Sequence, residues 1–265
     1  MPAPRPADLA SATPPVARRI DFNCDLGEGC GTDADIVPLI SSASIACGGH
    51  AGDDGSMREA IALCLRHGVA VGAHPSFEDR AHFGRRELAT TPDEVETMVA
   101  RQLQRFAAAC TSEVASFHHV KPHGALYNLA ARDAGVAVAI ATAVQAQDPA
   151  LVLYALSGSQ LARAGENIGL RVAHEVFAER RYEADGSLTP RTTAGAVIED
   201  VDEALAQVRT MLVEAHVVAR TGESVALRAD TVCLHGDRAD APAFARALHD
   251  ALLAAGVRIV APGAA

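Results

Sequence analysis

Short apolar runs alternate with longer amphipathic stretches along most of the chain. Seven runs predict strands, at Arg19–Leu26, Ser42–Cys47, Ala70–His74, Ser116–Lys121, Leu151–Leu156, Arg171–Phe177 and Asp230–His235, each β-branched or apolar and bounded by Gly, Pro or polar turns. Helical signals fill the gaps. Thr91-Pro92-Asp93-Glu94 supplies an N-cap, a proline at the first helical position and an acidic third position, and predicts a helix to about Ala109. Another helix is predicted to start near Asp53–Ser56, with Met57, Ile61 and Leu65 as its buried stripe and Gly68 closing it. His67, His216 and His249 fall in stretches read as helical and are assigned no role in the chemistry.

Strand–helix alternation demands a largely parallel sheet, because each crossover returns the chain in the same direction. Open or closed is decided by the strand faces. Parallel strands covered by helices on both sides are near-continuously apolar, and three strands here are not. In the first, Asp21, Asn23 and Asp25 share one face and Ile20, Phe22 and Cys24 the other. In the fourth, His119, Lys121 and His123 alternate with His118, Val120 and Pro122; in the last, Cys233, His235 and Asp237 share a face. Polar stripes of this kind suit the interior and mouth of a barrel. The expectation is one α/β domain over residues 19–265, a TIM-like (β/α) barrel of seven units. Val257–Val260 is a short eighth strand that either completes the barrel or sits outside it. Residues 1–18, with Pro2, Pro4, Pro6, Pro14 and Pro15 and no apolar stretch, read as a disordered tail.

Composition narrows the classes. Of 265 residues 49% are hydrophobic, enough for a sizeable core. The 33 acidic residues against 23 basic give a formal charge of −10, which argues against a nucleic-acid-coating surface while leaving room for a local cationic cluster around a small anion. No run approaches ~18 apolar residues, so no membrane span is expected. The six cysteines (Cys24, Cys30, Cys47, Cys64, Cys110, Cys233) form no CxxC pair and read as reduced, mostly small core residues. A cytoplasmic bacterial enzyme is the expectation. Lys121 is the only lysine.

Catalytic groups of a parallel barrel collect at the carboxyl ends of its strands, and the polar motifs of this chain fall there. They are Asn23-Cys24-Asp25-Leu26-Gly27-Glu28, Cys47-Gly48-Gly49-His50 running on to Asp53, His74-Pro75 running on to Arg85-Arg86, Lys121-Pro122-His123-Gly124, Glu175 running on to Arg180, and His235-Gly236-Asp237. A lone histidine is more often a hydrogen-bonded core residue than a catalyst. Six strand ends with such groups are harder to assign to packing. Lys121 and the Arg85-Arg86 pair are candidates to neutralise a phosphate or carboxylate, with Arg85-Arg86 as a solvated surface pair the plainer alternative. Asp25, His74 and His123 are the candidate general bases, unranked without distances. Asn23, Glu28, His50, Asp53, Glu175, His235 and Asp237 complete the candidate binding set.

The segments Asp21–Glu28, Ala46–Asp53, Gly72–Arg86, Val120–Asn128, Glu175–Gly186 and His235–Asp237 resemble the LamB/YcsF family, and the likeness runs from about Arg19 to the end of the sequence. It implies a distorted (β/α)7 barrel of the glycoside hydrolase/deacetylase type, and a role as one component of an ATP-dependent 5-oxoprolinase that hydrolyses 5-oxo-L-proline to L-glutamate while ATP becomes ADP and phosphate. It also implies ATP with its Mg²⁺ as cofactor and two partner subunits, B and C. The chain departs from the family pattern at Gly49 for an aromatic, Asp54 for a proline, and Ser76 and His82 for glycines. These are expected beside the pocket and bear on substrate range. Neither a GxxxxGK(S/T) phosphate loop nor a strand–GxGxxG–helix fingerprint is present, so nucleotide binding is expected to need the partner subunits. Two other readings stand beside this one. Asp25, His50, His74 and His123 could ligate Zn²⁺ or a similar ion in a metal-dependent hydrolase, and the chain could be a non-catalytic subunit that senses a small acid.

Overall fold

The computed structural model describes residues 19–237 and 240–263; the stretch 1–18, expected to be disordered, lies outside the described residues. The elements are β1 (Arg19–Leu26), α1 (Asp33–Ile36), β2 (Ser42–Ala46), α2 (Asp54–His67), β3 (Ala70–His74), α3 (Pro92–Ser112), β4 (Phe117–Val120), α4 (Gly124–Arg132), α5 (Ala134–Gln147), β5 (Val152–Leu156), α6 (Gln160–Asn167), β6 (Arg171–Phe177), α7 (Val201–Glu214), β7 (His216–Val218), β8 (Ser224–Ala226), β9 (Thr231–Leu234), α8 (Ala241–Ala254) and β10 (Arg258–Ile259). The order β1-β2-β3-β4-β5-β6-β9 is parallel throughout and β9 returns to β1, closing a seven-stranded barrel. The eighth run lies outside the ring: β10 pairs only with Arg19 and Ile20 at the start of β1. His216, read as helical from sequence, opens β7, which forms a separate antiparallel hairpin with β8.

Closure follows from the two faces of the strands. Phe22, Cys24 and Leu26 are fully buried in the main hydrophobic core, while Asp21, Asn23 and Asp25 are buried on the alternate face. His118, on the apolar back of β4, places its Nε2 2.8 Å from the carbonyl of Pro262, so the terminal segment satisfies it.

The predicted caps are present. Asp53 and Ser56 form a reciprocal capping box at α2, Thr91 and Glu94 another at α3, and Gly68 closes α2 in the left-handed region at φ 68°. The buried stripe of α2 runs through Met57, Ala60, Ile61 and Cys64; Leu65, expected on it, is 43% exposed. Helix α3 extends past Ala109 to Ser112. Helix α5 packs against both α3 and α6, which explains its nearly all-round apolar sequence. Among the described residues no single helix is long and apolar enough to cross a membrane.

Candidate active site

The carboxyl ends of the strands deliver a chain of charged side chains into one cleft. Lys121 Nζ, just past β4, lies 2.5 Å from Asp25 Oδ1, 2.8 Å from Asn23 Oδ1 and 3.1 Å from Glu175 Oε1. Asp25 Oδ2 is 3.3 Å from His74 Nε2, which is 2.9 Å from His123 Nδ1. Lys, Asp, His and His from β1, β3 and β4 thus form one continuous path. Asn23 donates to Glu175 and Thr231, and Tyr127 Oη donates to Glu175 Oε2 at 2.7 Å. Glu175 therefore has protein partners on both oxygens.

A second group stands beside the first. Glu28 Oε1 is 2.8 Å from His50 Nε2 and 3.3 Å from His123 Nδ1, and the rings of His50 and His123 stack at 3.7 Å with an interplanar angle of 1°. Glu28, His50, His74 and His123 are close enough to share a metal ion. This set differs from the one read in the sequence, because Asp25 turns one oxygen to Lys121 and Glu28 takes its place.

The loop after β3 is pinned to the start of α4. Ala125 N donates to the Gly84 carbonyl at 2.9 Å, and a Cβ on Gly124, at φ +55°, would meet that oxygen at 2.7 Å. This contact brings Arg85 to the cleft, where it pairs with Asp237 from the segment after β9. His235 pairs with Glu179 and stacks on Phe177.

The remaining wall comes from the segment after β6, folded back through bridges Arg180↔Val197 and Tyr182↔Leu188. It adds Arg180, Leu188 and Arg191 to the lining of a cleft of about 90 Å³, together with Asp25, His74, Arg85, Lys121, His123 and Glu175. Burial and the neighbouring Arg191 push the Arg180 guanidinium down to about 10, and burial and Arg85 lower Arg191. Three guanidinium groups converging on one wall, with only Arg85 in an ion pair with a carboxylate (Asp237) among the described residues, can seat a small anion.

Electrostatics separate the acids. Burial opposes ionisation of Asp25, yet the charges of His74 and Lys121 outweigh it and hold the carboxyl well below the usual range. For Glu28 burial, Asp25 and Asp237 together outweigh the charges of Arg85 and Lys121, and the carboxyl is raised well above its ordinary value. Burial would discharge Lys121, but Asp25, Cys233 and Glu175 keep it an ammonium. Burial lowers His123 and His50, aided in both by neighbouring histidines.

Two residues of the sequence-based set lie elsewhere. Asp53 is exposed and serves as the cap of α2, and Arg86 is an exposed partner of Asp79 at 3.4 Å. Tyr127, Glu179 and Arg180 lie inside the strand-end motifs but were assigned no role there, and Arg191 lies outside them. Tyr127 sits one helical turn past His123, a signal that was available, whereas Arg191 lies in an irregular segment with no periodicity to read. The four family departures do not line the cleft. Gly49 and Ser76 instead meet each other: a Cβ on Gly49 would fall 2.4 Å from Ser76 Oγ. Asp54 pairs with Arg105 and His82 with Asp79.

The family model described as the LamB/YcsF family matches residues 20–265. The chain belongs to the LamB/YcsF family. It is 52% identical over 248 residues to a protein of Geobacillus thermodenitrificans named as the A subunit of 5-oxoprolinase, covering 92% of this chain and 97% of that one. A Bordetella pertussis protein of the same name is 50% identical over 91% of the chain. Among solved structures, the lactam utilization protein of Thermus thermophilus superposes with a TM-score of 0.85 at 46% identity, covering 92% of this chain and 99% of that one.

Proposed function

We infer that the chain is the A subunit of a 5-oxoprolinase, opening 5-oxo-L-proline to L-glutamate in a complex with subunits B and C and coupled to ATP hydrolysis. The observation that carries this reading is the cleft itself, an arginine seat for a small carboxylate facing a Lys121–Asp25–His74 path. The names of relatives at about 50% identity give it its substrate.

A five-membered lactam resists hydrolysis because its opened amine stays tethered next to the new carboxyl group and recloses with little entropic loss. Phosphorylation overcomes this. In the proposed sequence the lactam oxygen takes the γ-phosphoryl group of ATP and ADP leaves. Water then adds to the ring carbon, giving up a proton to Asp25. The C–N bond breaks with protonation of the nitrogen, leaving an acyl phosphate that a second water cleaves to glutamate and phosphate.

Roles follow from the environment of each side chain. Arg85, Arg180 and Arg191 hold the substrate carboxylate through forked hydrogen bonds. Lys121 opposes the negative charge that develops on the transferring phosphoryl group and the tetrahedral carbon. Asp25 is the base, since Lys121 keeps it ionised at neutral pH. The test is ATP-dependent glutamate release by this chain co-expressed with subunits B and C. Asp25→Asn is expected to lower kcat about 10²- to 10⁴-fold. Wild-type turnover in both Asp25→Asn and Lys121→Ala removes these roles. An assembled complex that binds 5-oxoproline without turning it over favours the acid-sensing subunit.

A further inference from the structure

The histidine cluster beside the Lys121 network carries a mismatch that its protein neighbours do not resolve. His74 Nδ1 lies 2.7 Å from the carbonyl of Lys121, and His123 Nε2 lies 2.9 Å from that of Phe83. A carbonyl only accepts, so each ring carries a proton on that nitrogen. The opposite nitrogens, His74 Nε2 and His123 Nδ1, then face each other at 2.9 Å. In neutral rings these are two lone pairs. Glu28 Oε1 adds another acceptor, 3.3 Å from His123 and 3.9 Å from His74. His50 brings Nε2 to 2.8 Å from that oxygen, and its buried Nδ1 has no partner among the described residues to fix its tautomer.

Three acceptors aimed at one point, beside a histidine free to present a fourth, suit a cation between them. We propose that Glu28, His50, His74 and His123 bind one divalent transition-metal ion of the Zn²⁺ class at the mouth of the barrel. The four ligand atoms all lie within 4.8 Å of one another. A tetrahedral ion with bonds of about 2.0–2.1 Å sets its ligands roughly 3.3 Å apart, against 2.8 Å for Glu28–His50, 2.9 Å for His74–His123, 3.3 Å for Glu28–His123 and 3.9 Å for Glu28–His74. Three imidazoles with one carboxylate suit Zn²⁺ rather than Mg²⁺ or Ca²⁺, which take oxygen ligands. The carbonyls of Lys121 and Phe83 orient two of the rings from behind, as outer partners of metal-bound histidines do.

A second triad, Asp25, Cys233 and His235, also comes within ligand distance. It already holds a cation: Lys121 Nζ lies 2.5 Å from Asp25 and 3.2 Å from Cys233 Sγ. The first cluster has no such group among the described residues. His74 Nε2 also lies 3.3 Å from Asp25 Oδ2, a further acceptor at the edge of the cluster. The site stands independently of the substrate reading.

The test uses the full chain, stripped with a chelator that is then dialysed away and titrated with Zn²⁺ and with Co²⁺ by calorimetry in buffers of different ionisation enthalpy. One ion is expected per chain, with proton release and a rise in Tm. The Zn X-ray absorption edge is expected to show imidazole scattering and no sulfur shell near ~2.3 Å. Glu28→Gln and His50→Ala should weaken binding roughly tenfold or more, and Cys233→Ser should leave it unchanged. Failure of the wild-type chain to take up either ion overturns the proposal. So does a sulfur shell, or wild-type affinity in both folded variants. If neither variant folds, the absorption edge of the wild-type protein decides.

Discussion

Two polar layers inside the barrel handle burial in opposite ways. In the deeper one Asp21 accepts hydrogen bonds from the hydroxyls of Ser41, Ser42 and Thr231, and Tyr154 donates to Ser42. His119 stacks on Tyr154 at 4.2 Å, with its Nε2 3.2 Å from Ser44 Oγ. A single carboxylate is surrounded by neutral donors. In the layer above, Asp25, Glu28, Glu175, Lys121 and three histidines share one space. There His50 Nδ1, Glu179 Oε2, Arg180 Nε and Asp237 Oδ1 are buried without a hydrogen-bond partner among the described residues. The deeper layer is complete by itself, while the upper one keeps unspent bonding capacity, the condition expected where a ligand is to be received.

The largest expected effect tests the upper layer at its centre. Lys121→Met leaves Asp25 and Glu175 buried without their cation and should destabilise the chain by about 3–5 kcal/mol, read from urea or thermal unfolding. The pH dependence gives the cause. Asp25 is depressed in the folded protein, so its contribution is present above the unfolded value near ~3.9 and is lost as pH falls through the folded value. Lys121 is raised, so its contribution is present below ~10.4 and lost as pH rises through the folded value. In the variant the deficit should shrink as pH drops towards ~4 and the orphaned carboxyls take up protons. A deficit independent of pH would assign the effect to lost packing.

The next effect falls on ligand affinity. Arg191→Ala removes one of three guanidinium groups that repel one another, so folding stability should hold or rise slightly. KM for 5-oxoproline should climb by roughly 10- to 100-fold, the equivalent of losing a charge-assisted hydrogen bond of about 1.5–3 kcal/mol, with kcat less affected. A fall confined to kcat would place Arg191 against the reacting atoms and not the carboxylate.

The contrast between the layers also marks what could be read from sequence. The ring was legible because Asp21, Asn23 and Asp25 alternate with Ile20, Phe22 and Cys24, a pattern that in a parallel sheet suits a closed barrel with a polar interior better than an open sheet covered on both faces. Convergence of Asp25, His74, Lys121 and His123 was legible because each lies at or just past the carboxyl end of a strand. The hairpin of β7 and β8 was missed although Val217 and Val225 flank a Thr221-Gly222 turn, with Gly222 at φ +101°. The exchange of Asp25 for Glu28 among the histidines was not legible. It depends on Lys121 holding Asp25 at 2.5 Å across the barrel while Glu28 reaches His50 at 2.8 Å.

In the deeper layer substitution should matter less. Burial raises the Asp21 carboxyl in spite of its three hydroxyl donors. A raised acid favours the folded state most below the unfolded value near ~3.9, and that advantage is lost as pH rises through the folded value. Asp21→Asn removes the titration and keeps the shape. It should change stability at neutral pH by about 1 kcal/mol or less and flatten the unfolding profile in the weakly acidic range. A loss as large as that of Lys121→Met would erase the distinction between the layers.

The smallest effect belongs to Asp53, which the sequence grouped with the binding residues and the fold assigns to a helix end. Its carboxylate accepts from Ser56 N at 2.9 Å, and Ser56 Oγ accepts from Asp53 N at 2.8 Å. Alanine there should lower Tm slightly by unsatisfying the first turn of α2. Turnover should not change, because His50, three residues earlier, is held by Glu28 and by its stack on His123, and neither contact passes through the cap. Loss of turnover at unchanged Tm would return Asp53 to the site and would mean that the loop from Cys47 to Asp53 moves as one body with the cluster.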